Sequence, residues 1–152
     1  MINERDERFM RMALEEAQKA LALGEIPVGA VIVKGDEVIA AAHNTRESEK
    51  NALGHAELTA ISKACEVLGG WRLQGCELFV TLEPCPMCAG AIINSRIKRV
   101  VYGASDAKAG CAHSVIDLFE LPFNHHPTVK SGVLEGDCAE ILSTFFGSLR
   151  KK

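Results

Sequence analysis

The sequence predicts an α/β domain in which helices pack on one sheet of five strands. Apolar residues recur with the helical period near the start, middle and end of the chain, and short runs rich in β-branched residues lie between them. Strands that alternate with helices are typical of layered α/β domains. With 152 residues, 47% of them hydrophobic, and no linker-like stretch, the chain is expected to form a single domain over residues 1–152.

The first half of the chain is predicted to form a helix, a hairpin and a second helix. The apolar residues of the first helix share one face and are Met10, Ala13, Leu14, Ala17 and Leu21. This pattern ends at Gly24, and the turn signal KGD then separates two β-branched runs at 28–33 and 37–42, which predicts an antiparallel hairpin. The second helix is predicted to start near His55 and to end at Gly69.

The second half of the chain is predicted to supply the rest of the sheet. In order, it contains a strand at 77–82, a short helix beginning in the PCPMC segment, a strand at 99–103, a weak helix near 115–119, a short strand near 128–133 and a last amphipathic helix. The strands that follow the hairpin are expected to be reached through helical crossovers.

Composition and charge exclude several classes of protein. The N-terminal segment is charged from Glu4 onward and lacks the apolar core of a signal peptide, and no run approaches the roughly 18 apolar residues of a spanning helix. We therefore expect a soluble, cytoplasmic protein without a membrane partner. The net charge of −3 gives no general attraction for nucleic acid, so any such contact is expected to be local, near the basic clusters at 96–99 and 150–152.

Cys85 and Cys88 form a CxxC pair that allows three kinds of site: half of a structural zinc site, a redox dithiol or part of a catalytic metal site. His55 is the nearest good ligand upstream, and Glu57 follows it by two residues. Positions i and i+2 lie on different sides of a helix, so His55 and Glu57 are poorly arranged as joint ligands. One imidazole and two thiolates give three protein ligands, which is the number found in catalytic zinc sites with an open fourth position.

Two alternatives remain at this pair. A thioredoxin-like dithiol needs no upstream histidine and glutamate. A fourth cysteine could instead close a structural site, and the candidates are Cys65, Cys76, Cys111 and Cys138. Three of these are expected to pack in the core. Cys111 lies in a predicted loop and remains a candidate for a fourth ligand. A non-catalytic, zinc-stabilised module that binds RNA is a further alternative for the whole chain.

The charges of the three ligands give Glu57 a separate task. Two thiolates and a neutral imidazole cancel the charge of a dication, so the metal acidifies its water less than it would with three histidines. Both ligand segments lie at predicted helix N-termini, where N–H groups stabilise thiolate and hydroxide. Glu57 can take the proton of the water and pass it on, which is the work of a hydrolytic centre.

The HAE motif at 55–57 and the PCPMC motif at 84–88 resemble the signature of the zinc-dependent deaminases of nucleobases, nucleosides and nucleic acids. Over nearly the whole chain the resemblance is to the bacterial tRNA-specific adenosine deaminases, in the cytidine/deoxycytidylate deaminase superfamily. The matching segments are GEIPVGAVIV at 24–33, AHN at 42–44, WRL at 71–73, VTLEPCPMCAGAI at 80–92, VYGASDAKAG at 101–110, FNH at 123–125 and FFGSLRKK at 145–152.

This resemblance implies a fold and a reaction. The fold is a cytidine deaminase-like, three-layer α/β/α domain with a five-stranded mixed sheet, working as a homodimer. His55, Cys85 and Cys88 are implied to hold one Zn²⁺ per subunit, with no organic cofactor. Adenosine at the wobble position of an arginine tRNA anticodon is implied to become inosine when zinc-bound hydroxide attacks C6 and Glu57 shuttles the proton.

The resemblance also implies residues that contact the substrate. Asn44 is implied to bind the base. The segments around Asp106, Asn124 and His125 and the C-terminal helix are implied to contact the anticodon stem-loop. The motifs alone do not separate this activity from deamination of a free nucleobase or nucleotide of guanine or cytosine type. Asn124, His125 and His126 are interpreted as surface residues and not as a second metal site.

Overall fold

Helices and strands alternate along the chain as the sequence predicts. The computed structural model describes residues 3–150, with Arg150 described by its backbone alone. In order, the elements are α1 (Glu4–Ala22), β1 (Gly29–Lys34), β2 (Glu37–His43), α2 (Ala56–Leu68), β3 (Cys76–Leu82), α3 (Pro86–Asn94), β4 (Arg99–Ala104), a 3₁₀ turn (Leu118–Glu120), β5 (Thr128–Lys130) and α4 (Glu135–Arg150).

The five strands form one mixed sheet in the order β2-β1-β3-β4-β5. β1 pairs antiparallel with β2 in the predicted hairpin and antiparallel with β3, whereas β3, β4 and β5 run parallel. Val31 of β1 lies opposite Phe79 of β3, which in turn lies opposite Val101 of β4. The predicted five-stranded mixed sheet is therefore confirmed.

The two faces of the sheet carry separate hydrophobic cores, because side chains alternate between faces along each strand. Ala30 and Ile32 face α2 and α3, where they pack with Ala60 and Ile92. The opposite face of the sheet packs against α1 and α4. Its residues are Val31 and Val33 of β1, Phe79 of β3 and Val101 of β4, which cluster with Phe9, Met10 and Cys138. This is the three-layer α/β/α arrangement implied by the resemblance.

The first helix, α1, is the longest in the described part of the chain. The side chain of Asn3 accepts a hydrogen bond from the backbone N–H of Asp6 at 3.1 Å, which caps the helix, and the first turn is acidic. Exposed charged residues lie between the buried residues of α1 along the sequence. Within residues 3–150, none of the helices combines the length and the apolar character needed to cross a membrane.

The connection between β4 and β5 differs from the prediction. The expected helix near 115–119 is a single 3₁₀ turn at Leu118–Glu120, and β5 spans three residues instead of the six near 128–133. Pro122 forces Leu121 into an extended conformation, so the turn cannot continue. Gly132 has a φ of 81°, which ends β5 early. β5 is thus reached through an irregular segment and not through a helical crossover.

Candidate active site

Two helix N-termini bring His55, Cys85 and Cys88 together. His55 is the N-cap residue of α2, and Cys85 is the N-cap residue of α3, with Pro86 in the first position of that helix. Cys88 lies one turn further into α3. Both N-cap residues have extended backbones and neither makes a side-chain capping bond, so their ring and sulfur atoms are free to face each other.

The three side chains form a compact donor group. Nδ1 of His55 lies 3.6 Å from Sγ of Cys85 and 3.6 Å from Sγ of Cys88. All three donor atoms lie within 4.8 Å of one another, and among the described residues this is the one group of three or more histidine, cysteine or acidic side chains so arranged. Cys88 is fully buried, whereas the other two are partly exposed.

The donor group fits zinc in its chemistry and its spacing. Bonds of about 2.3 Å to sulfur and about 2.0 Å to nitrogen, at tetrahedral angles, set nitrogen and sulfur about 3.5 Å apart. The observed separations of 3.6 Å agree with that spacing. Imidazole and thiolate are also ligands that zinc prefers. His55, Cys85 and Cys88 could therefore hold Zn²⁺ without rearrangement.

The pKa values of the two thiols are shifted in opposite directions. A hydrogen bond from Cys88 lowers the pKa of Cys85 to about 4, with a further hydrogen bond from His55, and the same interaction raises the pKa of Cys88. Cys85 is thus set up as a thiolate beside a helix N-terminus. A bound dication would favour the thiolate form of both cysteines.

Glu57 lies in the first turn of α2 and is only 4% exposed. Burial, with a smaller contribution from the nearby Cys85 thiolate, raises the pKa of Glu57 to about 7. Its hydrogen bonds and the charge of His55 act in the opposite direction. Among residues 3–150, no lysine or arginine pairs with it. Its carboxylate lies outside the three-donor group, so it is available for proton transfer.

Asn44 joins the end of β2 to the start of α2. It is buried, and its Oδ1 accepts a hydrogen bond of 2.9 Å from the backbone N–H of Ala56. This bond fixes the side-chain amide beside His55. Because Oδ1 is occupied, the Nδ2 group of Asn44 is the part of the side chain left to donate to a ligand.

Glu25 was missed by sequence reasoning and holds the loop that connects Asn44 to His55. Its buried carboxylate accepts hydrogen bonds from the backbone N–H groups of Glu47, at 3.1 Å, and Ser48. Burial opposes the charged form, but these bonds outweigh it and lower the pKa of Glu25. In the sequence Glu25 looks like a surface residue near a proline, and no local pattern reveals its partners.

Asp106 lies in the loop that follows β4. Its Oδ1 accepts hydrogen bonds from the backbone N–H groups of Lys108, at 3.1 Å, and Ala109, at 3.2 Å. Its own N–H donates at 3.0 Å to Glu83, a second buried glutamate that sequence reasoning missed although it directly precedes the PCPMC motif. The structure therefore ties the Asp106 loop to the segment that carries Cys85.

Asn124 and His125 lie toward the other end of β4. Asn124 is exposed, and Nε2 of His125 lies 2.7 Å from the backbone oxygen of Ile97, which precedes β4. Asp106 follows the opposite end of that strand, and the five steps of β4 span about 16 Å. The four predicted substrate residues are thus divided between two ends of the sheet, with Asn44 and Asp106 on the side of the donor group.

The remaining cysteines stay outside the donor group. Sγ of Cys111 lies 3.6 Å from the backbone oxygen of Ala109, and Cys76 and Cys138 are buried in the cores. Cys65 is half-buried near the end of α2, with Sγ 4.0 Å from the oxygen of Trp71. None of them supplies a fourth donor within the described chain, so the group keeps an open side.

Comparison with known proteins places this geometry in a family. The sequence profile of the MafB19-like deaminases matches residues 4–150. The chain belongs to the MafB19-like deaminase family. A relative from Bacillus subtilis named tRNA-specific adenosine deaminase is 53% identical over 148 residues, which cover 97% of this chain and 92% of the relative.

Solved structures of other deaminases share the fold. One, from biochemical and structural studies of A-to-I editing by tRNA:A34 deaminases at the wobble position of transfer RNA, aligns with a TM-score of 0.85 at 47% identity, over 88% of this chain and 98% of that one. A guanine deaminase from Bacillus subtilis aligns with a TM-score of 0.65 at 36% identity, over 99% and 96% of the two chains. The predicted membership of the deaminases is confirmed.

Proposed function

We propose that this MafB19-like deaminase hydrolyses adenosine to inosine at the wobble position of a tRNA anticodon, that of an arginine tRNA. The buried, unpaired Glu57 beside a three-donor group carries the chemistry. The substrate follows from the comparisons, because the relative named tRNA-specific adenosine deaminase matches at 53% identity over nearly the whole chain, against 36% for the guanine deaminase structure. Adenosine and water would give inosine and ammonia.

His55, Cys85 and Cys88 would hold one Zn²⁺ in each chain. The bound metal supplies a Lewis acid that acidifies a water molecule and leaves a fourth position open to it. Glu57 accepts a proton from the attacking water and delivers it to N1 of the adenine ring. It then takes the proton of the new C6 hydroxyl group and gives it to the amine, so that the C6–N6 bond breaks and ammonia leaves. The burial of Glu57, which raises its pKa to about 7, supports both the acceptance and the return of the proton.

Asn44 orients the base in this proposal. With Oδ1 bound to the N–H of Ala56 at 2.9 Å, the Nδ2 group can donate to a ring nitrogen of the flipped-out adenine. Asp106, Asn124 and His125 are proposed to contact the anticodon stem-loop. Asn124 and His125 lie at the far end of β4, so they would contact nucleotides remote from the target base.

Local basic groups must attract the RNA, because the chain as a whole carries a net charge of −3. In the cluster at 96–99, Arg99 is already bound to Asp6 and Glu77, and Arg96 donates to the backbone oxygen of Ile93 at 2.7 Å. The exposed Lys98 is therefore the residue of this cluster left for phosphates. In the cluster at 150–152, Lys151 and Lys152 lie outside the described residues. Because the proposed substrate is transfer RNA, we propose a cytoplasmic location.

A side-by-side assay of ammonia release tests the substrate. The zinc-loaded protein is incubated with an arginine tRNA anticodon stem-loop and, separately, with free guanine, cytosine and adenine. We expect release from the stem-loop, and none from a control stem-loop with guanosine at the wobble position. Release confined to a free base would reject the tRNA substrate and favour the free nucleobase deaminase.

We also propose a homodimer. Apolar side chains lie exposed near the end of α2: Val67 is 63% exposed and Trp71 53% exposed, with the guanidinium groups of Arg72 and Arg96 near the indole ring. A second copy covering this surface would remove it from water. Sedimentation of wild type and Val67→Glu tests the proposal, since a dimer on this surface would become monomeric, and an unchanged mass would reject it.

A further inference from the structure

Glu83 lies between β3 and the metal-binding helix α3, two residues before Cys85, and its carboxylate accepts several hydrogen bonds. Oε1 accepts from the N–H of Asp106 at 3.0 Å and from the Ser114 hydroxyl group. Oε2 accepts from the N–H groups of Ala112 at 3.0 Å, His113 at 2.9 Å and Ser114 at 2.9 Å. One buried side chain therefore binds both ends of the loop that follows β4.

The charge of Glu83 is balanced by backbone dipoles and not by a cation. Within residues 3–150 no arginine, lysine or histidine forms an ion pair with it. An ionised carboxylate can accept on both oxygens, whereas a carboxamide can accept on one. The loop conformation therefore requires a carboxylate at this position, and hydrogen bonds to a charged acceptor are the stronger kind.

Gly110 makes room for this carboxylate. A Cβ atom on Gly110 would lie 2.3 to 2.5 Å from the three carboxylate atoms of Glu83, a distance at which one of the two groups must move. The loop can therefore wrap around Glu83 only where it carries no side chain. Residues 83 and 110 form one interlocking unit, which we call the Glu83 cradle.

The backbone beside the cradle joins the same two segments. The N–H of Glu83 donates to the oxygen of Ala104 at 2.9 Å, and the N–H of Cys111 donates to the oxygen of Pro84 at 2.8 Å. The loop is thus bonded to the two residues that precede Cys85. A shift of this loop relative to the donor group would have to break these bonds and the cradle together.

We propose that Glu83 is a positioning residue for substrate recognition, a role that rests on the proposed function. The cradle holds the Asp106 loop in a fixed place relative to the donor group. Asp106 can therefore contact the RNA while the target base lies beside Glu57. Glu83 touches neither the base nor the metal ligands. It acts on the affinity for the stem-loop through the loop that it holds.

Steady-state kinetics of Glu83→Gln test this role. In either orientation the new NH₂ group faces a backbone N–H of the loop, so the loop is released on that side. For the anticodon stem-loop we expect KM to rise about tenfold, while kcat per bound zinc changes by less than about threefold. A purely structural role would lower the folded, zinc-bearing fraction and leave KM unchanged, so a KM within about twofold of wild type overturns the proposal.

Gly110→Ala reaches the cradle without removing the carboxylate and serves if Glu83→Gln folds poorly. It should raise KM in the same direction. Gly70→Ala is the matched control, because a Cβ at Gly70 meets nothing within 4 Å and Gly70 follows the end of α2 that is remote from His55. We expect its KM to equal that of the wild type.

Amide hydrogen exchange on the zinc-loaded, substrate-free protein separates this proposal from the proposed function. We expect faster exchange, by about 100-fold relative to wild type, on the side that the new NH₂ group of Glu83→Gln faces, with little change in α2 and α3. The affected amides are either that of Asp106 or those of Ala112, His113 and Ser114. Unchanged exchange rejects the cradle as a tether whatever the substrate. A wild-type protein inactive on the stem-loop, with faster loop exchange in the variant, rejects the tRNA substrate and leaves the tether in place.

Discussion

Asp6 and Glu57 are buried carboxylates in two different regions of this deaminase, and their surroundings are opposite. Asp6 lies in the first turn of α1 and is 1% exposed. It receives two hydrogen bonds from Arg99 of β4, at 2.8 and 2.7 Å, and one from Lys130 of β5, at 3.0 Å. At the start of α2, Glu57 is similarly buried and has no arginine or lysine partner within the described chain.

The pKa values follow from these surroundings. The hydrogen bonds from Arg99 lower the pKa of Asp6 below its ordinary value, against the effect of burial. Burial without a cationic partner raises the pKa of Glu57 to about 7. The carboxylates of Asp6 and Glu57 thus have different roles. Asp6 is bound to cations, stays charged and joins elements, whereas Glu57 has no cationic partner in the described chain and can exchange a proton.

Cys88→Ala gives the largest expected effect, because it removes a ligand from the open site. We expect zinc content to fall from about one ion per chain to well below that, and deaminase activity to be lost with it. Atomic absorption and the ammonia assay measure the two quantities. Cys138→Ala, which removes a buried thiol from the opposite face, is the control and should keep its zinc. Full zinc content in Cys88→Ala would show that Cys88 is not a ligand.

Glu57→Ala sharpens the comparison on the side of the unpaired carboxylate. We expect kcat to fall by roughly 10² to 10⁴, the usual contribution of a general acid and base, while zinc content stays at the wild-type level. Glu66→Ala, on the exposed side of α2, is the matched control and should be fully active. Loss of the metal in Glu57→Ala would make Glu57 a ligand and contradict its assignment as the proton carrier.

Asp6→Asn tests the paired side. It leaves Arg99 and Lys130 without one buried partner, so we expect the free energy of unfolding to fall by about 3 kcal/mol, with KM and kcat per bound zinc unchanged. Urea denaturation measures the change. Asp36→Asn, at an exposed residue that pairs with Arg5, should change stability by less than about 1 kcal/mol. A loss no larger than that in Asp6→Asn would reject the buried pairing.

The same region predicts a pH dependence of stability. The pKa of Asp6 is lower in the folded chain than its ordinary value of 3.8, so its stabilisation is present above that value and is lost as pH falls through the folded pKa. The pKa of Glu77 is also lowered. Burial opposes its charged form, but the hydrogen bonds from Arg5 and Arg99 outweigh the effect of burial. We expect wild-type stability to decline as pH falls below 4.5, the ordinary pKa of Glu77. Below 3.8, the ordinary pKa of Asp6, the decline should be shallower in Asp6→Asn. Equal slopes would contradict the prediction.

Gly69→Ala gives the smallest expected effect and concerns the end of the helix that carries Glu57. Gly69 ends α2 with a φ of 73°, a left-handed conformation that costs an alanine about 1 kcal/mol. Thermal denaturation measures this loss. The neighbouring Gly70 has no positive φ and equally open surroundings, so Gly70→Ala should be neutral to within about 0.5 kcal/mol. Equal effects at both positions would reject the conformational cause.

The sequence was sufficient to predict the helices that carry the donor group and its three members. His55 and Cys85 occupy helix starts that the apolar period and the prolines mark locally, and the five strands were recognised from their β-branched runs. The crossover to β5 could not be predicted, because apolar Val115 and Ile116 are exposed in the structure and mimic a buried helical stripe in the sequence.

Glu25 and Glu83 show why the rest of the site could not be predicted. Their partners are backbone N–H groups 22 to 31 residues further along the chain. A backbone donor carries no side-chain signature, so a glutamate that binds one looks like a surface residue until the loop is folded around it. Metal ligands can be predicted from a sequence because they need particular residue types at particular spacings. Glutamates that accept hydrogen bonds from backbone N–H groups cannot, because their role depends on where the folded chain places them.

The inosine content at the wobble position of an arginine tRNA, after incubation with zinc-loaded wild type and with zinc-loaded Glu57→Ala, tests the central claim most directly. Sequencing of the tRNA should show conversion of adenosine to inosine at that position by the wild type, and at least about 100-fold slower conversion by the variant. Equal rates at equal zinc content would contradict the role of the buried, unpaired carboxylate, and no inosine with either protein would contradict the proposed substrate.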